Sequence, residues 1–492
     1  NTGFMVRADL NGIYNGSMIA GGSVTGDGSA VSDIIVDNTG NLIITGGYTN
    51  NLILGSINIS SPAQSYYTFI AKCDNAFGFT WVSASSAFAN PSRQMWTYRI
   101  FTDNLNNIYE YGLISSSFSF GSIPVNPDGG QFLVKFDPDG NPQESHSLQN
   151  SAINRTYITP SGKILTGNSG TTAGTEYYGN FYLTQFSNSM LQEWQLMSSN
   201  SMSGSASLRY IKHDASGNTY LQSRVSGYCN YFGHIININS SAQVISKHDV
   251  SGNLLWLRLI NDMGTSVFGA AFTLDKDNNV LTTGFFQTYL NIGTTVLTSS
   301  LSVPEGYVAK YSTDGDFLWA AKMDLGQNIS QDGYISVASD NAGNVLVSGP
   351  LRPANFLVKF DASGNRLWTR TFPMESYYFS LVSTDAGNNI YLASEIHLSG
   401  SSGSAMIGSV PLTQTFDDGA TVLVKLDPNG NALWARTYGG VTGATYSDGW
   451  PCDIRTDAAG NSYLWGWCRN NSVFGSTTLI NPFTVNQDYS YY

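Results

Sequence analysis

Charge is what this chain has least of. Only 12% of its 492 residues are Asp, Glu, Lys or Arg, about half the usual share, and the balance is acidic, with a net charge of -12. A surface of that kind offers no basic patch to neutralise phosphates or lipid headgroups, which argues against nucleic acid and anionic membranes as partners. Histidine is scarce too: His146, His213, His234, His248 and His397 show no metal-ligand spacing, so no metal or cofactor is expected. No apolar run is long enough to span a bilayer, and no signal peptide or lipid-anchor motif is visible. The chain begins at Asn, and the expectation is a processed, mature product. Nor does any stretch show sustained helical periodicity.

What is present is a repeat. A hydrophobic strand runs into a Lys, a Gly-Asn-type turn follows, and a Trp stands nine residues after the Lys: Lys72 and Trp81, Lys247 and Trp256, Lys310 and Trp319, Lys359 and Trp368, Lys425 and Trp434. Arg7 and Lys135 begin the same pattern without the Trp, and Tyr182-Leu183-Thr184 with Trp194 makes a degenerate copy. A second element alternates with the first, an Asp turn leading into an apolar strand: Asp37 to Gly46, Asp103 to Gly112, Thr159 to Gly167, Asp214 to Ser223, Asp275 to Gly284, Asp340 to Gly349, Asp385 to Ser394 and Asp457 to Gly466. Eight copies of each give a period of about 62 residues, enough for four short strands.

The segments read as strands because β-branched and aromatic residues dominate them, as in Phe132-Leu133-Val134-Lys135-Phe136. Asp137-Pro138-Asp139-Gly140-Asn141 is a turn, with Pro presetting φ and Gly supplying a positive φ. Radial repetition of four-stranded antiparallel sheets is therefore expected: an all-β, eight-bladed β-propeller forming one domain over residues 1–492. The Trp of each copy should pack between neighbouring blades. A parallel β-helix is the competing architecture, but its coils are shorter than this period. Most copies of the first element are 63 to 66 residues apart, yet units three and six span only 49. One rim should therefore be notched at two blades. Residues 4–9 form a strand of the repeat type and should complete the last blade, closing the ring within one chain. The alternative is insertion into a neighbour's blade, which would build a polymer.

Cys452 and Cys468 flank a hairpin turn and are expected to form a cross-strand disulfide, implying an oxidising, extracytoplasmic compartment; two buried free thiols are the alternative. Cys73 and Cys229 read as unpaired.

The combined unit, best seen in Asp427 to Trp434 and Asp457 to Gly466, resembles the bacterial β-propeller repeat family abbreviated SBBP. The resemblance covers essentially the whole chain and departs from the family at Thr184 and at Pro160-Ser161-Gly162-Lys163. It implies the propeller fold and a place in secreted or cell-surface proteins of bacteria, and implies little about activity.

The Asp-rich turns do not make calcium loops, because Gly is misplaced and no bidentate Glu follows. Six of the ten lysines occupy the repeat position. They either ring a central channel as an anion site or pair with the repeat Asp residues, such as Asp37 and Asp275. The Trp spacing is similar to that of eight-bladed quinoproteins, but no adjacent Cys pair is present; Ser312 to Trp319 is loosely similar to the Asp-box of sialidases with its Gly misplaced, and the arginines are scattered where a sialidase needs a cluster. The sequence thus points to a non-enzymatic scaffold or adhesive module, secreted or on the cell surface, with a protein or glycan partner and possible self-assembly through its rims. A carbohydrate-binding propeller is the alternative, resting on Tyr66, Tyr67, Tyr177, Tyr178, Tyr377, Tyr378, Trp465 and Trp467 as stacking platforms for sugar rings. A polysaccharide-active enzyme is the third reading.

Overall fold

The structure is a computed structural model. It describes residues 2–479 apart from a few single positions and pairs and the segments 9–13, 21–28, 62–65, 89–95, 127–130, 148–152, 170–180, 201–203, 261–267, 300–303, 326–334, 373–379, 397–403, 414–419, 439–448, 457–460 and 469–471. All regular structure among the described residues is β, arranged as the four-stranded antiparallel sheets of a β-propeller.

Seven blades follow one another along the chain, each a meander of strands a to d from the hub outward. Blade 1 is Ser29–Val36, Leu42–Thr49, Tyr66–Cys73 and Phe79–Ala84; blade 2 is Trp96–Thr102, Ile108–Leu113, Gln131–Phe136 and Pro142–Ser147. Blade 3 is Ile153–Ile158, Ile164–Ser169, Phe181–Phe186 and Gln192–Asn200; blade 4 is Ser205–His213, Thr219–Tyr231, His234–His248 and Leu254–Ile260. Blade 5 is Phe268–Leu274, Val280–Phe286, Glu305–Tyr311 and Phe317–Lys322; blade 6 is Ser336–Ser339, Val345–Leu351, Ala354–Phe360 and Arg366–Phe372. Blade 7 is Ser380–Thr384, Ile390–Ile396, Ala420–Leu426 and Ala432–Tyr438. The contiguous count is therefore seven where the repeat arithmetic led to an expectation of eight. The difference lies at the chain ends, because the strands left over cannot form a meander in sequence. Gly449–Thr456 pairs with Ser462–Cys468, which pairs with Thr2–Ala8, which pairs with Tyr14–Ala20.

The core is a ring of separate layers between sheets. Leu346, Leu357, Val424 and Leu392 join blades 6 and 7, and Tyr391, Leu423 and Trp434 meet Ile454 and Leu464 of the terminal sheet. A middle strand is covered on both faces, so Val280–Phe286 and Glu305–Tyr311 are buried at every position. That double cover is why these strands read as unbroken apolar runs with little alternation.

A bulge recurs in the inner strand. One extra residue enters at Ser32, Tyr98, Asn154, Arg209, Ala270 and Cys452. The register of the terminal hairpin does not bear out the disulfide expectation: it already offsets the two cysteines by two residues, and the bulge adds a third. It leaves Cys452 without a ladder partner and sets Cys468 opposite Gly449. Three residues of stagger amount to about 10 Å along a strand, beyond the ~7 Å Cα reach of a disulfide. The side chains of both cysteines lie outside the described residues.

Candidate functional site

The repeat residues converge on the seams between blades. Lys72, Lys247, Lys310, Lys359 and Lys425 lie on strand c, and each faces its Trp across the ladder: Trp81, Trp256, Trp319, Trp368 and Trp434. The nine-residue spacing is thus the register of a hairpin with a bulge directly after the Lys. In the degenerate copy the equivalent residue is Gln185, opposite Trp194, one position beyond the Thr184 taken as its origin.

Strand c is the third strand from the hub, so these lysines do not ring the channel. Instead Lys72 pairs with Asp37 at 2.8 Å, Lys310 with Asp275 at 2.8 Å, Lys359 with Asp340 at 2.9 Å, Lys425 with Asp385 at 3.6 Å and Lys247 with Asp214 at 4.0 Å. Each Asp also closes its own turn. Asp340 accepts from the backbone N–H groups of Ala342 and Asn344 and from the Asn344 amide. Burial alone would raise the Asp340 pKa, but Asn344 and Lys359 outweigh it and hold the carboxyl below its ordinary value. The same balance lowers Asp37, Asp275 and Asp385.

The outer end of each unit reaches the next blade. Trp81 donates its indole N–H to Pro138 O at 3.2 Å, Trp194 to Val250 O at 3.3 Å, Trp256 to Thr313 O at 3.1 Å and Trp319 to Ala362 O at 2.9 Å. Each acceptor is the second residue of the c–d turn in the following blade. The c-strand residue can use the same carbonyl: Lys247 donates to Thr313 O and Gln185 to Val250 O. Lys359 and Lys135 likewise donate to Pro428 O and Asn188 O. The Gly of that turn lies beneath the indole. A methyl group on Gly140 or Gly364 would stand 2.5 Å from Trp81 or Trp319, and both glycines have φ above +80°. The turn Gly is needed twice, once for the backbone and once for the ring.

Blade 2 builds its latch differently. Glu144 occupies the Trp position and Lys135 approaches it at 3.6 Å. A second departure went unseen in the sequence: Glu110, fully buried on strand b of blade 2, takes a position filled by Ile44, Leu221, Val347 and Leu392 in blades 1, 4, 6 and 7 and by Thr166 and Thr282 in blades 3 and 5. Its Oε1 lies 2.6 Å from Thr45 Oγ1 and 3.0 Å from Thr68 Oγ1, both in blade 1. Those two hydroxyls also face Phe69 O and Gly46 O. Two hydroxyl protons thus meet three acceptors, an arrangement completed when the carboxyl carries a proton of its own. Desolvation pushes the Glu110 pKa up to about 7, against the lowering effect of the two threonines.

The aromatic candidates divide. Tyr67 is buried and stacks on Tyr48 at 5.0 Å between centroids, and Tyr66 is half-buried against the seam of blades 1 and 2. Neither presents an open face to a sugar. Tyr177, Tyr178, Tyr377 and Tyr378 lie outside the described residues, as do the side chains of Trp465 and Trp467. Among the described residues no cluster of three or more His, Cys, Asp or Glu is arranged to hold a metal ion.

No family model matches the chain, and no curated protein matches it. Among solved structures, a protein of unknown function from Bacteroides caccae is similar at a TM-score of 0.31 and 12% identity, over 64% of this chain and 92% of that one. A structure described as the eukaryotic initiation factor reaches 0.43 at 10% identity, over 94% of this chain and 98% of that one. Prolyl oligopeptidase B from Galerina marginata reaches 0.41 at 9%, over 89% of this chain and 54% of that one. Likenesses this distant transfer no activity to this chain.

Proposed function

We propose that the chain is a non-enzymatic interaction scaffold, a single ring in which the terminal sheet acts as the eighth blade, presenting its rims to a protein partner outside the cytoplasm. The observation that carries this reading is the commitment of the repeat's polar residues to the ring itself. Lysines and aspartates are consumed in ion pairs within each blade and indoles in latches to the next, while the position before the Trp, on the outer strand, differs between the two halves of the chain. It is Thr80, Gln143 and Glu193 in blades 1 to 3 and Leu255, Leu318, Leu367 and Leu433 in blades 4 to 7. A constant frame whose outer strands present polar residues in three blades and leucine in four suits recognition of a macromolecule. The extracytoplasmic location rests on the family resemblance alone.

The test places a photo-cross-linking residue at Thr80 or Leu318 and, in parallel, screens the protein on glycan arrays and on soluble polysaccharides. The scaffold reading expects a saturable cross-link to one protein that unmodified propeller competes away. Glycan retention, or release of reducing sugar, overturns it.

A further inference from the structure

Between strands b and c most blades carry a small hairpin that lies over their own outer strand. Its strands are Asn51–Leu54 and Ile57–Ser60 in blade 1, and Phe118–Phe120 and Ile123–Val125 in blade 2. In blade 5 they are Tyr289–Ile292 and Thr295–Thr298, and in blade 7 Ser404–Ile407 and Val410–Thr413. The hairpin tips touch the first residue of the outer strand: Gly55 faces Phe79, Gly121 faces Pro142, Gly293 faces Phe317 and Gly408 faces Ala432. Those four covered residues are all apolar.

Among the described residues blade 6 has no such cover. Only residues 352 and 353 separate its strands b and c, and the first residue of its outer strand is the exposed Arg366. Leu367, next in line, is 52% exposed. Among the described residues the strand Arg366–Phe372 bonds to Ala354–Phe360 on one side only, so its outward N–H and C=O groups form an open edge. Blade 3, the other short unit, is partly covered by its neighbour, since Ser199 and Asn200 pair with Asn230 and Cys229 of blade 4.

Charge distinguishes this edge from the rest of an acidic chain. The outer strands of blades 4 to 7 carry Arg258, Lys322, Arg366, Arg370 and Arg436 and no acidic residue, whereas those of blades 2 and 3 carry Glu144 and Glu193. Arg366 pairs with Asp324 at 3.8 Å, exposed on both sides and worth little, and donates from the same nitrogen to Met323 O and Asp324 O; Arg370 donates to Thr369 O and Asn429 O, and each guanidinium has five N–H groups.

We infer that the outer strand of blade 6 accepts an added β-strand from a partner polypeptide, an extended segment alternating acidic and apolar side chains. Backbone hydrogen bonds to the open edge supply affinity. Apolar side chains of the guest lie beside Leu367, and its carboxylates meet Arg366 and Arg370. This rests on the scaffold reading and assigns its docking strand.

The test uses the full chain and a capped, fluorescein-labelled octapeptide of alternating Glu and Val, followed by anisotropy at low and high salt. The expected result is saturable binding that weakens with salt. It falls at least tenfold for a peptide with a central Pro and for the variant carrying Arg366→Glu and Leu367→Asp. Arg366 also bonds Met323 O and Asp324, so the melting midpoint is read beside binding, and Leu367→Asp alone, at an exposed residue without those bonds, should lower binding while melting like the parent; a Thr80→Asp variant in blade 1 should bind normally. Equal binding by the variant, or by the Pro peptide, overturns strand addition. So does self-association that the same variant abolishes while the peptide never binds, which would assign the edge to a second copy of this chain. A cross-link from Leu318 that persists while the peptide fails would overturn strand addition and leave the scaffold reading standing.

Discussion

Trp319 in blade 5 donates its indole N–H to Ala362 O in blade 6, 2.9 Å away, and its ring covers Gly364 of the same turn. One side chain thus ties two sheets that share no ladder hydrogen bonds. The energetic weight of the ring sits at such seams, where each blade grips the turn of the next.

Replacing Gly364 with Ala should destabilise the ring in two ways, through a β-carbon at φ +87° and through its 2.5 Å approach to Trp319. The strain at positive φ is worth about 1–3 kcal/mol. In a Trp319→Ala background the second penalty vanishes, so Gly364→Ala should cost less there. Urea denaturation of the four proteins of the cycle checks this, and equal costs in both backgrounds would contradict the stacking.

Trp256 and Trp434 are buried, and truncating either to Ala should cost about 3–5 kcal/mol. A shift in the denaturation midpoint worth less than about 1 kcal/mol would place them outside the seam.

Lys359 and Asp340 are almost wholly buried at 2.9 Å. Lys359→Met strands the Asp340 carboxylate and should cost about 3–5 kcal/mol. Combining it with Asp340→Asn should cost less than the two single changes together. The acid limb of the stability curve follows the carboxyls of Asp340, Asp37, Asp275 and Asp385. Their folded pKa values lie below the unfolded ones, so their contribution is present above the unfolded pKa and is lost as pH falls through the folded value.

Glu110 acts in the opposite direction. Its folded pKa of about 7 exceeds the ordinary 4.5, so its contribution is complete below pH 4.5 and is lost as pH rises through 7. The loss is roughly 3 kcal/mol for a shift of this size. Glu110→Gln should flatten the decline measured by thermal melts between pH 5 and 8. An unchanged slope would place the proton elsewhere.

Thiol counting tests the corrected register. The denatured, unreduced protein should show four free thiols. In the native state Cys73 and Cys229 should resist alkylation, because burial pushes them up to about 12 and about 11. Two thiols appearing only after reduction would restore the Cys452–Cys468 bond.

The propeller and its latch components were legible because a hairpin of fixed length writes its register into the chain: Lys359 and Trp368 are nine apart because they are ladder partners. The acceptor Ala362 O was not legible, since a carbonyl has no residue type. Gln185 was missed because an amide replaces the cation while keeping the bond to the next turn. The disulfide expectation did not foresee the hairpin register, which offsets Cys452 and Cys468 by two residues before the bulge adds a third, and neither shift leaves a composition to read. Tyr67 showed that an aromatic pair in a β-rich chain is as readily core as platform. Glu110 was hidden by its surroundings, a lone carboxyl in an apolar strand whose partners Thr45 and Thr68 come from another blade.

Closure of the ring within one chain is the claim on which the rest depends, and a single substitution tests it. Thr2 is the register partner of Cys468, and opposed residues of an antiparallel pair lie within disulfide reach. Oxidised Thr2→Cys protein should therefore be a monomer whose peptide map contains one new bond, between positions 2 and 468. Disulfide-linked dimers or longer chains through the same two positions would show the first strand entering a neighbour and would contradict the closed ring.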